Sequence, residues 1–248
     1  MKLRLRQIAL AVTDLEVATL QASQILGLGS AYQDPAIVRY GLRNAVYAID
    51  NTFLEFVSPI TENTTVGRLL AKQGGDCGYM VILQTDGADE ARARIDAAGV
   101  RVADQLDRNG AGFMHLHPKD VGGTLLSIDY MPRWSDWEWG GPDWQKSATH
   151  DEAITGIEIS ALDPQGMAGR WGEILGRPME HCDHASRIGL DEGFEHARLV
   201  LHRNAGTRIT HFDNHTRGIN RGRHIHPPAG RRELDGIGQQ VEQHLLQL

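Results

Sequence analysis

Cysteine is nearly absent: Cys77 and Cys182 are the only two in 248 residues, too few and too isolated for a disulfide framework or a paired-cysteine metal knuckle. They read as buried or incidental thiols. Long apolar runs are also missing. No stretch approaches the roughly 20 apolar residues that span a bilayer, so no membrane partner is expected. The opening MKLRLRQIALAVTDL pairs basic residues with an apolar run. That run is short, has no small-residue cleavage site and is interrupted by Asp14, so it is expected to be a first strand of a cytoplasmic protein. Nor is there an excess of positive charge: 25 Lys and Arg against 32 Asp and Glu leave a net charge of −7, which argues against nucleic acid as a partner. One local exception is the basic cluster Arg217, Arg221, Arg223, Arg231 and Arg232, which reads as a solvated surface, a subunit contact or an anion site.

What the chain does have is a recurring order of elements. LRLRQIALAV ends in a strand-like run, and TDLEVATLQASQILGL then places apolar residues at helical spacing up to Gly27 and Gly29. Ala31–Asp34, Ile37–Leu42 with Ala45–Ile49, and Phe53–Ser58 follow as β-rich segments, giving a βαβββ unit. The order returns with strand Gly78–Gln84, helix Gly87–Ala98 and strands Val100–Ala103, Gly112–His117 and Gly123–Tyr130. It returns a third time with strand Ile154–Ala161, a helix from Asp163 as N-cap and Pro164 as first helical residue, and strands Arg187–Leu190 and Ala197–His202. Thr207–Phe212 resembles a further strand without a following helix. The reading is an α+β fold of repeated βαβββ units: two paired into an open barrel over 1–132, a linker over 133–150, a third unit over 151–215 and a tail over 216–248.

The linker holds Trp134, Trp137, Trp139 and Trp144, four of the five tryptophans, in a composition otherwise typical of loops. So much aromatic surface must dock, either between domains or as a lid or wall over an apolar substrate. In the tail, Ile237, Val241 and Leu245 stand at helical spacing and predict an amphipathic helix. An unpaired third unit exposes a sheet edge, and a homodimer is expected to cover it.

Three stretches carry a resemblance. They are Gln7-Ile8-Ala9 leading to Val12-Thr13-Asp14-Leu15, Phe53-Leu54-Glu55-Phe56-Val57-Ser58-Pro59, and Phe113-Met114-His115-Leu116-His117-Pro118-Lys119-Asp120-Val121-Gly122-Gly123-Thr124-Leu125-Leu126-Ser127-Ile128. Together they resemble the vicinal oxygen chelate superfamily of glyoxalase I and methylmalonyl-CoA epimerase, closely over 3–130 and loosely over 154–202. The resemblance implies paired βαβββ units around a cavity and, in metal-bearing members, four inward ligands at positions aligned with Gln7, Glu55, Tyr79 and Ser127. Tyr79 stands where His is usual and Ser127 where Glu is usual, and neutral hydroxyls are poor ligands for a divalent ion. No metal is therefore expected at this set, although Glu55, His115 and His117 could form a two-His-one-carboxylate site if they share the cavity. Gly156 and Val200, the aligned positions of the third unit, supply no ligands. His181, His184, His196, His202, His211, His215, His224 and His226 show no metal spacing on a clear helix.

The resemblance implies an enzyme moving protons on a small oxygenated molecule, as an isomerase, epimerase or lyase without a full metal site. Its base would be Glu55, in an apolar setting made by Ala9, Phe53, Val57 and Val81. Tyr79, Gln7 and Ser127 would polarise the substrate carbonyl, with His115 a second acid at the rim and Phe53, His117 and Asp129 contacting substrate. The alternatives are a non-catalytic small-molecule binder of the same fold and, third, an extradiol-type ring-cleaving dioxygenase.

Overall fold

The computed structural model describes residues 1–149, 154, 156–161, 163–182, 185–189, 198–201 and 207–211. The basic cluster, the amphipathic tail and most of the late histidines lie outside these. Among the described residues, no helix is long and apolar enough to cross a membrane.

The first half runs β1 (Leu3–Ala11), α1 (Leu15–Leu26), a 3₁₀ turn at Pro35–Tyr40, β2 (Leu42–Ile49), β3 (Thr52–Pro59), α2 (Thr65–Gln73), β4 (Cys77–Thr85), α3 (Ala88–Ala97), β5 (Val102–Arg108), β6 (Ala111–Leu116) and β7 (Leu125–Tyr130). Its seven strands form one sheet in the order β2-β3-β1-β4-β7-β6-β5. Each unit pairs its first strand in parallel with its last, β1 with β3 and β4 with β7, and the two units join through antiparallel β1 and β4. The sheet curls enough that Arg39 and Tyr40, beside edge strand β2, reach Asp104 on the opposite edge strand β5. Two expectations are corrected here. Ala31–Asp34 contributes only a bridge between Tyr32 and Val46, and the expected strand at Ile37 is the 3₁₀ turn, which Asp34 caps through Ala36 N with Pro35 at its start. Helix α2, N-capped by the Thr64 hydroxyl on Gly67 N, was not anticipated.

The two faces of the sheet are covered differently. Ile8, Leu10, Leu54, Phe56, Val81, Leu83, Leu126 and Ile128 point to the side where α1 and α3 pack. Ala9, Val46, Ala48, Phe53, Met80, Ile82 and Ala111 point to the inner face. Val81, expected in the cavity, is therefore on the helix side. A register shift between Ala9 and Leu10 skips Tyr79 and puts Met80 opposite Ala9.

After a 3₁₀ turn at Glu138–Gly140 and the short α4 (Trp144–Ser147) come β8 (Gly156–Ser160), α5 (Pro164–Leu175), β9 (Glu180–Cys182), β10 (Ala185–Gly189), β11 (Arg198–Leu201) and β12 (Thr207–His211). The second sheet runs β12-β11-β8-β10-β9, and its parallel β8–β11 pair repeats the first-with-last pairing of the other units. Asp163 caps α5 as read from the sequence, accepting from Gly166 N at 2.8 Å. The buried side of α5 docks within the chain. Trp171 donates its indole N–H to Val121 O at 2.8 Å, and Arg170 donates to Asp120 O at 3.0 Å and Ala98 O at 2.7 Å, just past the end of α3. Close approach needs Gly122, at φ 89°, because a Cβ there would meet Met167 at 3.0 Å.

Trp171 is fully buried, so Trp171→Ala leaves a cavity and an unpaired carbonyl. The expected loss is about 3–5 kcal/mol in urea unfolding; a loss below about 1 kcal/mol would show that α5 is not packed as described.

Candidate active site

Alternation along the strands gathers one polar group on the inner face. β1 contributes Gln7, β2 Asn44, β3 Glu55 and β7 Ser127 and Asp129, all buried. In register, Gln7 faces Phe53 on one side and Ile82 on the other, and Ile82 in turn faces Ser127.

The hydrogen bonds have fixed directions. Asn44 Nδ2 donates to Glu55 Oε1 at 2.7 Å, and Gln7 Nε2 donates to Glu55 Oε2 at 2.8 Å. Both amides are oriented by groups that only donate: Asp34 N meets Asn44 Oδ1 at 2.9 Å, and Trp137 Nε1 meets Gln7 Oε1 at 2.8 Å. Asp129 is held similarly, with the Ser127 hydroxyl donating to Oδ1 and Trp139 Nε1 donating to Oδ2 at 2.7 Å. Gln7 and Ser127, expected as donors to a substrate oxyanion, are thus directed at the two carboxyl groups instead.

The indoles arrive on the linker, which crosses the inner face as a strap from the end of β7 to edge strand β2. There Thr149 N donates to Ala48 O at 3.1 Å and Asp50 N donates to Thr149 O at 2.6 Å. Trp137 stacks on Phe53 with centroids 6.0 Å apart, Trp144 meets the same ring edge-on at 5.1 Å, and Trp139 meets Phe113 edge-on at 6.0 Å. A Cβ at Gly140 would lie 2.4 Å from Phe53, so glycine lets the strap settle. Arg6 anchors it, donating to Asn51 O and, at 3.2 Å, to Ser135 O, with its guanidinium 5.1–5.4 Å from the Phe53, Trp144 and Trp137 centroids. Burial, helped by neighbouring Arg4, pushes this guanidinium down to about 9. Of the two roles read for the aromatic linker, the geometry shows packing, on the inner face of the first sheet. Phe53, expected to touch substrate, is covered by the strap.

Burial dominates the electrostatics. It raises Glu55 against the opposing bonds from Asn44 and Gln7, and Asp34 adds to the rise. It raises Asp129 to about 7 against the bonds from Ser127 and Trp139, with Glu55 adding repulsion. Tyr79, beside the same cluster, is raised to about 12 by burial and by Glu55, so its hydroxyl stays protonated. His115 stacks on Phe113 at 4.1 Å, and burial lowers it to about 4. It is neutral near pH 7 and poorly suited to the acid role expected of it. His117 lies beyond the end of β6, where its ring accepts from Lys119 N at 3.3 Å beside Arg101, so it does not join His115 and Glu55.

These donors do not suit a divalent ion. Both Glu55 oxygens accept amide protons, the Gln7 oxygen faces an indole, Ser127 donates to Asp129, and Tyr79 keeps its proton. Among the described residues, no three His, Cys, Asp or Glu side chains gather as a metal-binding group. Asn44 is missed in the sequence, and Trp137 and Trp139, read there only as packing or a wall, are hydrogen-bond donors to the polar group. Alternation of Asn44 with Val46 and Ala48 was a usable signal for the first, whereas the indoles reach the site only through tertiary docking.

Comparison with known proteins gives the family. A family model described as a glyoxalase-like domain matches residues 8–175. The ethylmalonyl-CoA/methylmalonyl-CoA epimerase of Cereibacter sphaeroides is 28% identical over 134 residues, covering 52% of this chain and 98% of that protein. The human mitochondrial methylmalonyl-CoA epimerase is 25% identical over 129 residues, covering 51% of this chain and 73% of its own length. Among solved structures, a variant Streptomyces coelicolor methylmalonyl-CoA epimerase in complex with 2-nitronate-propionyl-CoA is 27% identical, with a TM-score of 0.46 over 52% of this chain and 98% of that one. Since the family model spans well over half of the sequence, the chain belongs to the glyoxalase-like domain family of the vicinal oxygen chelate superfamily.

Proposed function

We propose that this chain transfers protons at a carbon beside a carbonyl group, as an epimerase or isomerase of a small oxygenated substrate, with acyl-CoA esters the first class to test. The observation that carries the reading is the pair of buried carboxyl groups, Glu55 and Asp129, on one face of the sheet, each pushed upward by burial and Asp129 to about 7. The charge of Glu55 adds to the burial that raises Asp129, which therefore still holds a proton close to neutral pH, as a general acid must.

In this reading the Glu55 carboxylate accepts the proton from the substrate carbon, and the electron pair left behind moves onto the carbonyl oxygen. The Tyr79 hydroxyl donates a hydrogen bond to that oxygen, and Asp129 returns a proton to carbon. The amides of Asn44 and Gln7 keep Glu55 aimed. No step requires a metal. The curated relatives are named as epimerases of malonyl-type CoA esters, which is the same reaction class. A second reading, binding without turnover, is favoured by one observation: the strap's rings make the inner face rich in aromatic surface.

Incubation with methylmalonyl-CoA and a panel of other acyl-CoA esters in D2O, followed by proton NMR, separates the two. The wild type should exchange the proton beside the carbonyl, and Glu55→Gln should slow exchange by about 10²–10⁴-fold. Exchange at the wild-type rate in Glu55→Gln would remove Glu55 from the mechanism, and ligand binding with no exchange by the wild type would favour the binder.

The buried acid also sets a pH dependence of stability. Folded, Asp129 holds its proton up to about pH 7, whereas unfolded it releases the proton near pH 4. Its contribution is complete below about pH 4 and is lost as pH rises through 7. Asp129→Asn lacks this loss, so its melting temperature relative to wild type should climb between about pH 4 and pH 7 and level off above. A difference that stays flat across the window would contradict the assignment.

A further inference from the structure

We propose that the strap is a working part of the site, with Trp139 a positioning residue for Asp129 and Trp137 a positioning residue for Glu55 acting through Gln7. This rests on the proton-transfer reading of the two carboxyl groups. An indole N–H donates and never accepts, so each tryptophan dictates what its partner must present. Trp139 takes one oxygen of Asp129 and Ser127 takes the other, which fixes the plane of the carboxyl group from two sides. Trp137 takes the oxygen of Gln7, which turns the amide nitrogen of Gln7 onto Glu55. Were Gln7 free to flip, its oxygen would face a carboxylate oxygen and Glu55 would lose one of its two bonds.

The two relays are separate at the carboxyls and joined at the strap. Trp137 and Trp139 lie edge to face, 6.4 Å apart, and Arg6 holds the segment through Ser135 O and its stack with Trp137 and Trp144. Packing alone would not require both indole nitrogens to point at the catalytic row. Phenylalanine fills the same kind of space, as Phe53 and Phe113 do beside them.

The experiment uses full-length protein with carbon-13 in the Asp and Glu carboxyls, and the variants Trp139→Phe and Trp137→Phe, which keep a ring and lose the N–H. The expected pattern is crossed. Trp139→Phe moves the Asp129 carboxyl resonance more than that of Glu55, while Trp137→Phe moves Glu55 more than Asp129, the smaller responses passing through the repulsion between the two carboxyls, and the larger effect of Trp137→Phe disappears in a Gln7→Met background. Variants that move both resonances equally, or neither, would reduce the strap to packing and overturn the proposal.

If the ring substitutions do not fold, the same couplings are read from the other end. The Trp139 indole N–H resonance should shift more than that of Trp137 in Asp129→Asn, and that of Trp137 more than that of Trp139 in Gln7→Met; equal shifts or none count against the proposal. With an acyl-CoA substrate in hand, Trp139→Phe should lower kcat about ten- to a hundredfold at nearly constant KM, the scale of a misplaced catalytic group. If the wild type shows no exchange on any ester, the proton-transfer reading fails by itself, while the resonance pattern still decides whether the strap positions the carboxyls.

Discussion

A curled seven-stranded sheet has an inner face that must be filled, and this chain fills it with its own linker. Arg6 is central to that arrangement. A buried guanidinium is costly, and the cost is offset here by backbone carbonyls from two segments, Asn51 and Ser135, and by the faces of Phe53, Trp137 and Trp144. Remove the charge and the rings lose the group around which they assemble; remove the rings and the charge keeps only its carbonyl partners. Because β1 carries both Arg6 and Gln7, the strand that anchors the strap also carries the amide the strap orients.

From that anchoring the polar row inherits its directionality. Backbone N–H groups, indoles and amides leave little freedom in how protons are distributed, so the two carboxyl groups are the inner-face partners whose charge is adjustable. Burial raises both acids, and the donors around each lower it again. Such opposition between desolvation and hydrogen bonding brings a carboxyl toward neutral pH without a cation nearby. In this chain amides, a hydroxyl and an indole bond the two acids directly, and a second indole orients one of the amides.

Much of the scaffold was legible locally because the signals were local. The Asp163–Pro164 start of α5 and the strand–helix openings of the units follow from caps and periodicity, and the inward positions of Gln7, Glu55 and Ser127 from the family resemblance. Three features were not. The turn at Pro35–Tyr40 reads as strand by its β-branched residues, but Asp34 and Pro35 impose a capped helical turn. The side chains along β4 change faces at Tyr79, so counting by twos assigns Val81 to the wrong side. The role of the tryptophans depends on where a linker with only short helical turns lands, more than a hundred residues from Gln7, and no periodicity encodes that. Its aromatic excess showed only that it must land somewhere.

The place of β1 in the sheet also bears on how the chain is made. β1 is synthesised before both of its neighbours, yet it lies between β3, some 50 residues later, and β4, some 75 residues later. Until those strands emerge it is an apolar ribbon with two open edges, the kind of segment that recruits other chains during synthesis. Closure of the sheet through such distant partners makes for slow, high-contact-order folding. Arg4 and Arg6 put two charges on this mostly apolar strand, where charge opposes edge-to-edge association, and in the folded chain both lie against the strap, Arg4 over Trp134 and Arg6 beside Trp137.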